Sequence, residues 1–146
     1  MNNILFDIKL HESTLTSLSN IVVLPIGTDN LNGFAFQHSP VTPYEAEIAI
    51  EHVENIIIPA RKQFSLDEIM LSGHDEKLNI LWGVVGKIDN FLTTEQIESA
   101  FNELINVING SPIHSTQLPS DKSFTAFLLI IREMTHHWGL SGIHIK

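Results

Sequence analysis

The sequence predicts an α+β fold: a small, mostly antiparallel sheet of three N-terminal strands and one C-terminal strand, packed against about four or five helices in a single domain spanning 1–146. Three observations predict it. Apolar residues alternate at period two near the N-terminus, and they recur at the helical period in two capped segments further on. Residues 121–138 are apolar almost all round, which marks a central helix covered on more than one side.

In residues 4–10, Ile4, Phe6, Ile8 and Leu10 share one face and Asp7 and Lys9 the other, the pattern of a half-buried strand. Residues 13–20 are rich in Ser and Thr and read as a connection. The β-branched run 21–26 is a second strand. Pro25 has no backbone donor and places that end at a sheet edge or a bulge. After the turn chemistry of GTDNLNG, residues 33–38 alternate again through Phe34 and Phe36. They make a third strand, expected antiparallel to the second.

Thr42, Pro43 and Glu45 supply an N-cap, a proline at the first helical position and a capping-box glutamate. Ala46, Ala49, Ile50, Val53, Ile56 and Ile57 then share one side of a helix that Pro59 distorts or ends. Ser65 and Glu68 repeat the capping spacing and predict a short helix reaching Leu71. Residues 78–85 fit a helix or a strand by period. Asp75 and Glu76 before them and Lys87 after them match a helix macrodipole and select the helix. Residues 94–109 form an amphipathic helix with Ile97, Ala100, Phe101 and Leu104 on its core face, stopped by Gly110. A loop spans 111–119, the central helix follows and ends at Gly139, and residues 142–146 close the chain as a strand.

Composition narrows the function. A chain that is 43% hydrophobic and 17% charged has a globular composition. It has no cysteine, which excludes thiolate nucleophiles, disulfides and Cys-ligated metals. The N-terminus lacks the basic and apolar regions of a secretory signal, and no apolar run reaches the roughly 18 residues of a membrane span. The expected location is cytoplasmic. Net charge is −9, and the 8 Lys and Arg are scattered. That argues against a nucleic-acid footprint and favours a cationic partner, whether a basic protein or a metal ion. Histidine is over-represented, with 8 residues spread along the chain.

Two constellations carry chemistry. Glu133 and His136 have the E-x-x-H spacing that presents a carboxylate and an imidazole to one divalent metal ion, with His137, His144 or a glutamate of the first long helix as a third ligand. The plain alternative is that Arg132 pairs with Glu133 or His136 and that His137 packs at the core edge. Glu47, Glu51 and Glu54 form an acidic stripe on the first long helix, where only Arg61 stands close enough to answer Glu54. That stripe is either a docking surface or a solvated face. The chain has no G-x-S-x-G, no phosphate-cradling glycine loop and no dinucleotide fingerprint. The leading expectation is therefore a non-enzymatic binding protein of the small acidic inhibitor or immunity type, docking a basic protein through Glu47, Glu51 and Glu54. The alternative is a metal-binding protein or metal-dependent enzyme using Glu133 and His136. A structural homo-oligomer is the third class.

Overall fold

The computed structural model describes residues 2–65, 67–86 and 89–146. Along them run β1 (Asn2–Ile8), β2 (Ser13–Thr16), β3 (Ile21–Leu24), β4 (Ile26–Gly27), β5 (Asn30–Leu31), α1 (Pro43–Ala60), β6 (Ile69–Gly73), α2 (Glu76–Leu81), β7 (Phe91–Thr93), α3 (Thr94–Ile108), α4 (Lys122–His137) and β8 (Gly142–Ile145). The main sheet has six strands in the order β3-β2-β1-β6-β8-β7. Its first three strands are an antiparallel meander in which Leu15 sits opposite both Phe6 and Val22. The middle is parallel, with Ile4 beside Leu71 and Leu71 beside Ile143, and β7 closes the far edge antiparallel to β8. The α+β class stands, and the sheet is larger than the four strands expected. Its parallel centre follows from the helical crossovers between β1 and β6 and between β6 and β8, because parallel neighbours need a long return path.

Burial divides the sheet by face. Ile4, Phe6, Leu15, Val22, Leu71 and Ile143 are all buried against the helices. The alternate positions form an open face, where Ile21 and Val23 on the edge strand remain exposed. The central helix is α4, which packs against both α1 and α3. Phe124 through Ile131 are buried without a break. At about 1.5–3 kcal/mol per fully buried large apolar side chain, that run is a principal source of core stability. Asp121 caps the helix start by accepting from the Phe124 N–H, and Gly139, at φ +64°, ends it.

The helices over 43–60 and 94–108 fall where the sequence reading places them. Thr42 and Glu45 complete a capping box on α1, and Thr93 and Gln96 complete another on α3. Asp75 caps α2, which continues as a π-helical turn over Trp82–Gly86, so the helical choice for 78–85 holds.

Four local expectations are corrected. The Ser/Thr-rich segment 13–20 contains a strand, β2, in which Ser13 and Leu15 face inward and the buried Ser13 hydroxyl donates to the Ile26 carbonyl. The expected third strand at 33–38 is absent. Its place is taken by the two-residue hairpin β4–β5, and the Gln37 N–H goes to the Glu45 carboxylate at 2.6 Å, not to a strand partner. The short helix expected over 65–71 is replaced by β6. Ser65 accepts from the Asp67 N–H in a local turn, and Arg61 binds the carbonyls of Ser65 (2.8 Å) and Asp67 (3.1 Å). Strand β7 was not expected at all. Leu66 and Lys87, used in two of these readings, lie outside the described residues. No helix among the described residues is long and apolar enough to cross a membrane.

Candidate functional site

Helices α1 and α4 meet along a seam whose polar end carries a carboxylate–imidazole cluster. The packing of α1 against α4 decides its membership. Glu133 and His137 stand one turn apart and share a side of α4, whereas His136 lies 100° round the helix from His137. Accordingly Glu133 is fully buried at 0% exposure, His137 is partly buried, and His136 is exposed to solvent. Glu54 comes from α1. The His137 Nε2 lies 2.8 Å from Glu54 Oε2 and 3.1 Å from Glu133 Oε2. The seam is pinned beside the cluster by Trp138, whose indole N–H donates to the Ile57 carbonyl at 2.9 Å. The Arg61 N–H, which would reach that carbonyl in a continuing helix, turns to Pro59 instead.

A second layer holds the cluster from the α3 side. Arg132 donates through Nε to both carboxylate oxygens of Glu98, at 3.1 and 3.0 Å, and through Nη1 to Glu133 Oε1 at 3.2 Å. Its guanidinium also sits over the Phe101 ring, 4.9 Å from the centroid. Burial pushes the Glu133 carboxyl above its usual range. Arg132 pulls it back only in part, and the neighbouring Glu54 adds to the rise. Burial works against the Arg132 charge, yet the bonds to Glu98 and the nearby Glu133 carboxylate outweigh it and hold the guanidinium protonated.

The candidate residues therefore separate. Glu133, His137 and a glutamate of the first long helix do converge, and that glutamate is Glu54. The E-x-x-H pair separates in the structure: His136 is exposed, while His137 stands beside Glu133. Glu47 and Glu51 are exposed on α1 and take no part. Arg61 is spent on backbone carbonyls, so Glu54 is answered by His137. His144 lies away from the cluster, on the open sheet face against Phe91, with ring centroids 4.7 Å apart. Glu98 lies off the apolar face of its helix, and nothing near it in sequence announces its pairing with Arg132, 34 positions on.

A separate cleft of about 470 Å³ crosses the open face of the sheet. Thr16, Ser17, Ser72, His74 and Lys146 give it hydroxyls, an imidazole and one ammonium group, with Leu5 and Leu18 as apolar walls. Sequence reasoning missed it, since its residues come from strand positions such as Thr16 and Ser72 and from the residues that follow those strands, which no local pattern joins.

No protein-family model matches the chain, and no curated protein matches it in sequence. Solved structures do match. A Ppx/GppA phosphatase of Aquifex aeolicus, the type II variant, superposes with a TM-score of 0.73 at 16% identity, covering 99% of this chain and 53% of that one. An exopolyphosphatase from Cytophaga hutchinsonii gives a TM-score of 0.70 at 12% identity, covering 99% and 53%. The chain thus spans about half the length of these proteins, and at such identities the likeness is one of fold. It overturns the expected inhibitor or immunity type with its protein–protein docking role. The solved proteins named here are a phosphatase and an exopolyphosphatase, and Glu54, one of the three docking charges, is turned into the α1–α4 seam.

Proposed function

We propose that the chain is a phosphatase-type unit acting on a phosphoanhydride of the inorganic polyphosphate class. The observation that carries this reading is the likeness of fold over 99% of the chain to a Ppx/GppA phosphatase and to an exopolyphosphatase. The open-face cleft supplies the substrate site. Its volume of about 470 Å³ suits a small ligand, and Lys146 brings positive charge, with the His74 imidazole beside it, to a chain that is otherwise acidic. No glycine precedes Gly27 in the sequence, so the turn between β1 and β2 offers no glycine-rich backbone cradle, and phosphate oxygens would be held by side chains. In the reaction a water oxygen bonds to the terminal phosphorus while the bridging P–O bond breaks. The departing oxygen takes up the proton that the water gives up.

The test is phosphate release from inorganic polyphosphate and from p-nitrophenyl phosphate by the purified chain. Release above the buffer rate is expected, with polyphosphate preferred and Lys146→Ala at least about ten-fold slower, as expected for loss of a charge-assisted phosphate contact. No release from either substrate overturns the reading, and full activity in Lys146→Ala removes the cleft from it.

A further inference from the structure

We propose that Glu54, Glu133 and His137 form a binding site for one divalent transition-metal ion at the seam of α1 and α4. One ligand atom from each residue, two carboxylate oxygens and an imidazole nitrogen, lie within 4.8 Å of one another. The separations of 2.8 and 3.1 Å around His137 Nε2 are close to the roughly 3.3 Å edge of a tetrahedron built on metal–ligand bonds of about 2.0–2.1 Å.

A second observation points to a ligand. Glu133 Oε2 is buried and makes no hydrogen bond. His137 Nε2 carries at most one proton, and Glu54 Oε2 stands nearer to it, which leaves the Glu133 oxygen without a donor in a fully enclosed position. A buried carboxylate oxygen in that state costs free energy unless something else fills the gap. Arg132 does not fill it. Arg132 occupies the opposite oxygen, Oε1, and so turns Oε2 toward the cluster, as outer-sphere partners orient metal ligands.

Charge points the same way. Glu54, Glu98 and Glu133 set three carboxylates against the single guanidinium of Arg132, and a divalent cation neutralises the remainder. Entry is open as well, since the side chains of His137 and Glu54 are 22% and 35% exposed. The partly exposed His137 and Glu54 leave the remaining coordination positions to water. A mixed imidazole and carboxylate set suits Zn²⁺ or its first-row neighbours better than Mg²⁺, which prefers oxygen ligands in a strict octahedron.

The test is calorimetric titration of the purified, chelator-treated chain with Zn²⁺, in the presence of excess Mg²⁺. One Zn²⁺ per chain is expected. Glu133→Gln and His137→Ala should each weaken it by more than the roughly 10–100-fold typical of outer-sphere partners, while His136→Ala leaves it unchanged. Glu54→Gln, at a partly exposed position, reports the same loss in a variant whose fold is not at risk; circular dichroism checks folding in all four. Absence of stoichiometric binding overturns the site, as does binding that survives His137→Ala or is lost equally in His136→Ala. The readout is binding, so it stands or falls independently of phosphatase activity.

Discussion

The two ends of the α1–α4 pair each bury a glutamate, and the two carboxylates live in opposite conditions. Glu45, at the N-terminus of α1, is 7% exposed and bonded on every side. It accepts from the Gln37 N–H at 2.6 Å and the Thr42 N–H at 2.9 Å, and it meets the Thr42 hydroxyl and the His38 ring at 3.2 and 3.0 Å. Burial alone would raise its pKa, but these bonds together outweigh burial and hold it below the usual carboxylate range. Glu133, near the C-terminus of α4, is more deeply buried, has one oxygen unbonded and is shifted the other way. A carboxylate fully bonded by backbone and side-chain partners fastens the fold. One left half-bonded beside an imidazole and another carboxylate has capacity to spare for a proton or a cation.

The contrast should show first in stability. Glu45→Ala removes half of a capping box and leaves the N–H groups of Gln37 and Thr42 without their acceptor. A cost of about 2–3 kcal/mol is expected from the loss of charge-assisted bonds and a cap, read as a lower urea midpoint with an unchanged slope. A cost below about 0.5 kcal/mol would make Glu45 no more structural than a surface residue. Glu133→Gln should behave differently in chelator. It removes a buried charge of which one oxygen is unpaired, and its amide can donate toward Glu54, so metal-free stability should hold or rise by about 1 kcal/mol. A loss of 2 kcal/mol or more would place Glu133 in the same class as Glu45.

The two carboxylates also differ in how far the sequence announces them. Glu45 stands three residues after a threonine and two after a proline, a local signal that reads correctly because capping uses only neighbours in the chain. The same locality makes the helix limits legible and explains why α4 is recognisable as central: its apolar girth is a property of eighteen consecutive residues. What stays hidden is set by pairing across the chain. The spacing of Ser65 and Glu68 imitates a cap, but Arg61 fixes that backbone for a strand that β1 and β8 complete. Phe34 and Phe36 alternate like a strand, yet the donor at Gln37 is claimed by Glu45. At the cluster, the sequence singles out Glu133 and supplies two adjacent histidines, and only the position of α1 selects His137 over His136. Glu98 and the cleft from Thr16 to Lys146 carry no local pattern at all.

The smallest and most discriminating effect is the pH dependence. Glu45 has a folded pKa below its unfolded one, so its contribution is fully present above the unfolded value and disappears as pH falls through the folded value. Glu133 has a folded pKa above its unfolded one, so the fold favours its protonated form. Its contribution is present below the unfolded value and is lost as pH rises through the folded value. Urea midpoints of the metal-free wild type, Glu45→Gln and Glu133→Gln across the acid-to-neutral range separate the two. Relative to wild type, Glu45→Gln should be most destabilised at neutral pH and converge toward it in acid. Glu133→Gln should instead gain on wild type as pH rises out of the carboxylate range. Differences from wild type that move in parallel for the two variants would mean that the orphaned oxygen of Glu133 imposes no cost, and that the two buried glutamates are the same kind of residue after all.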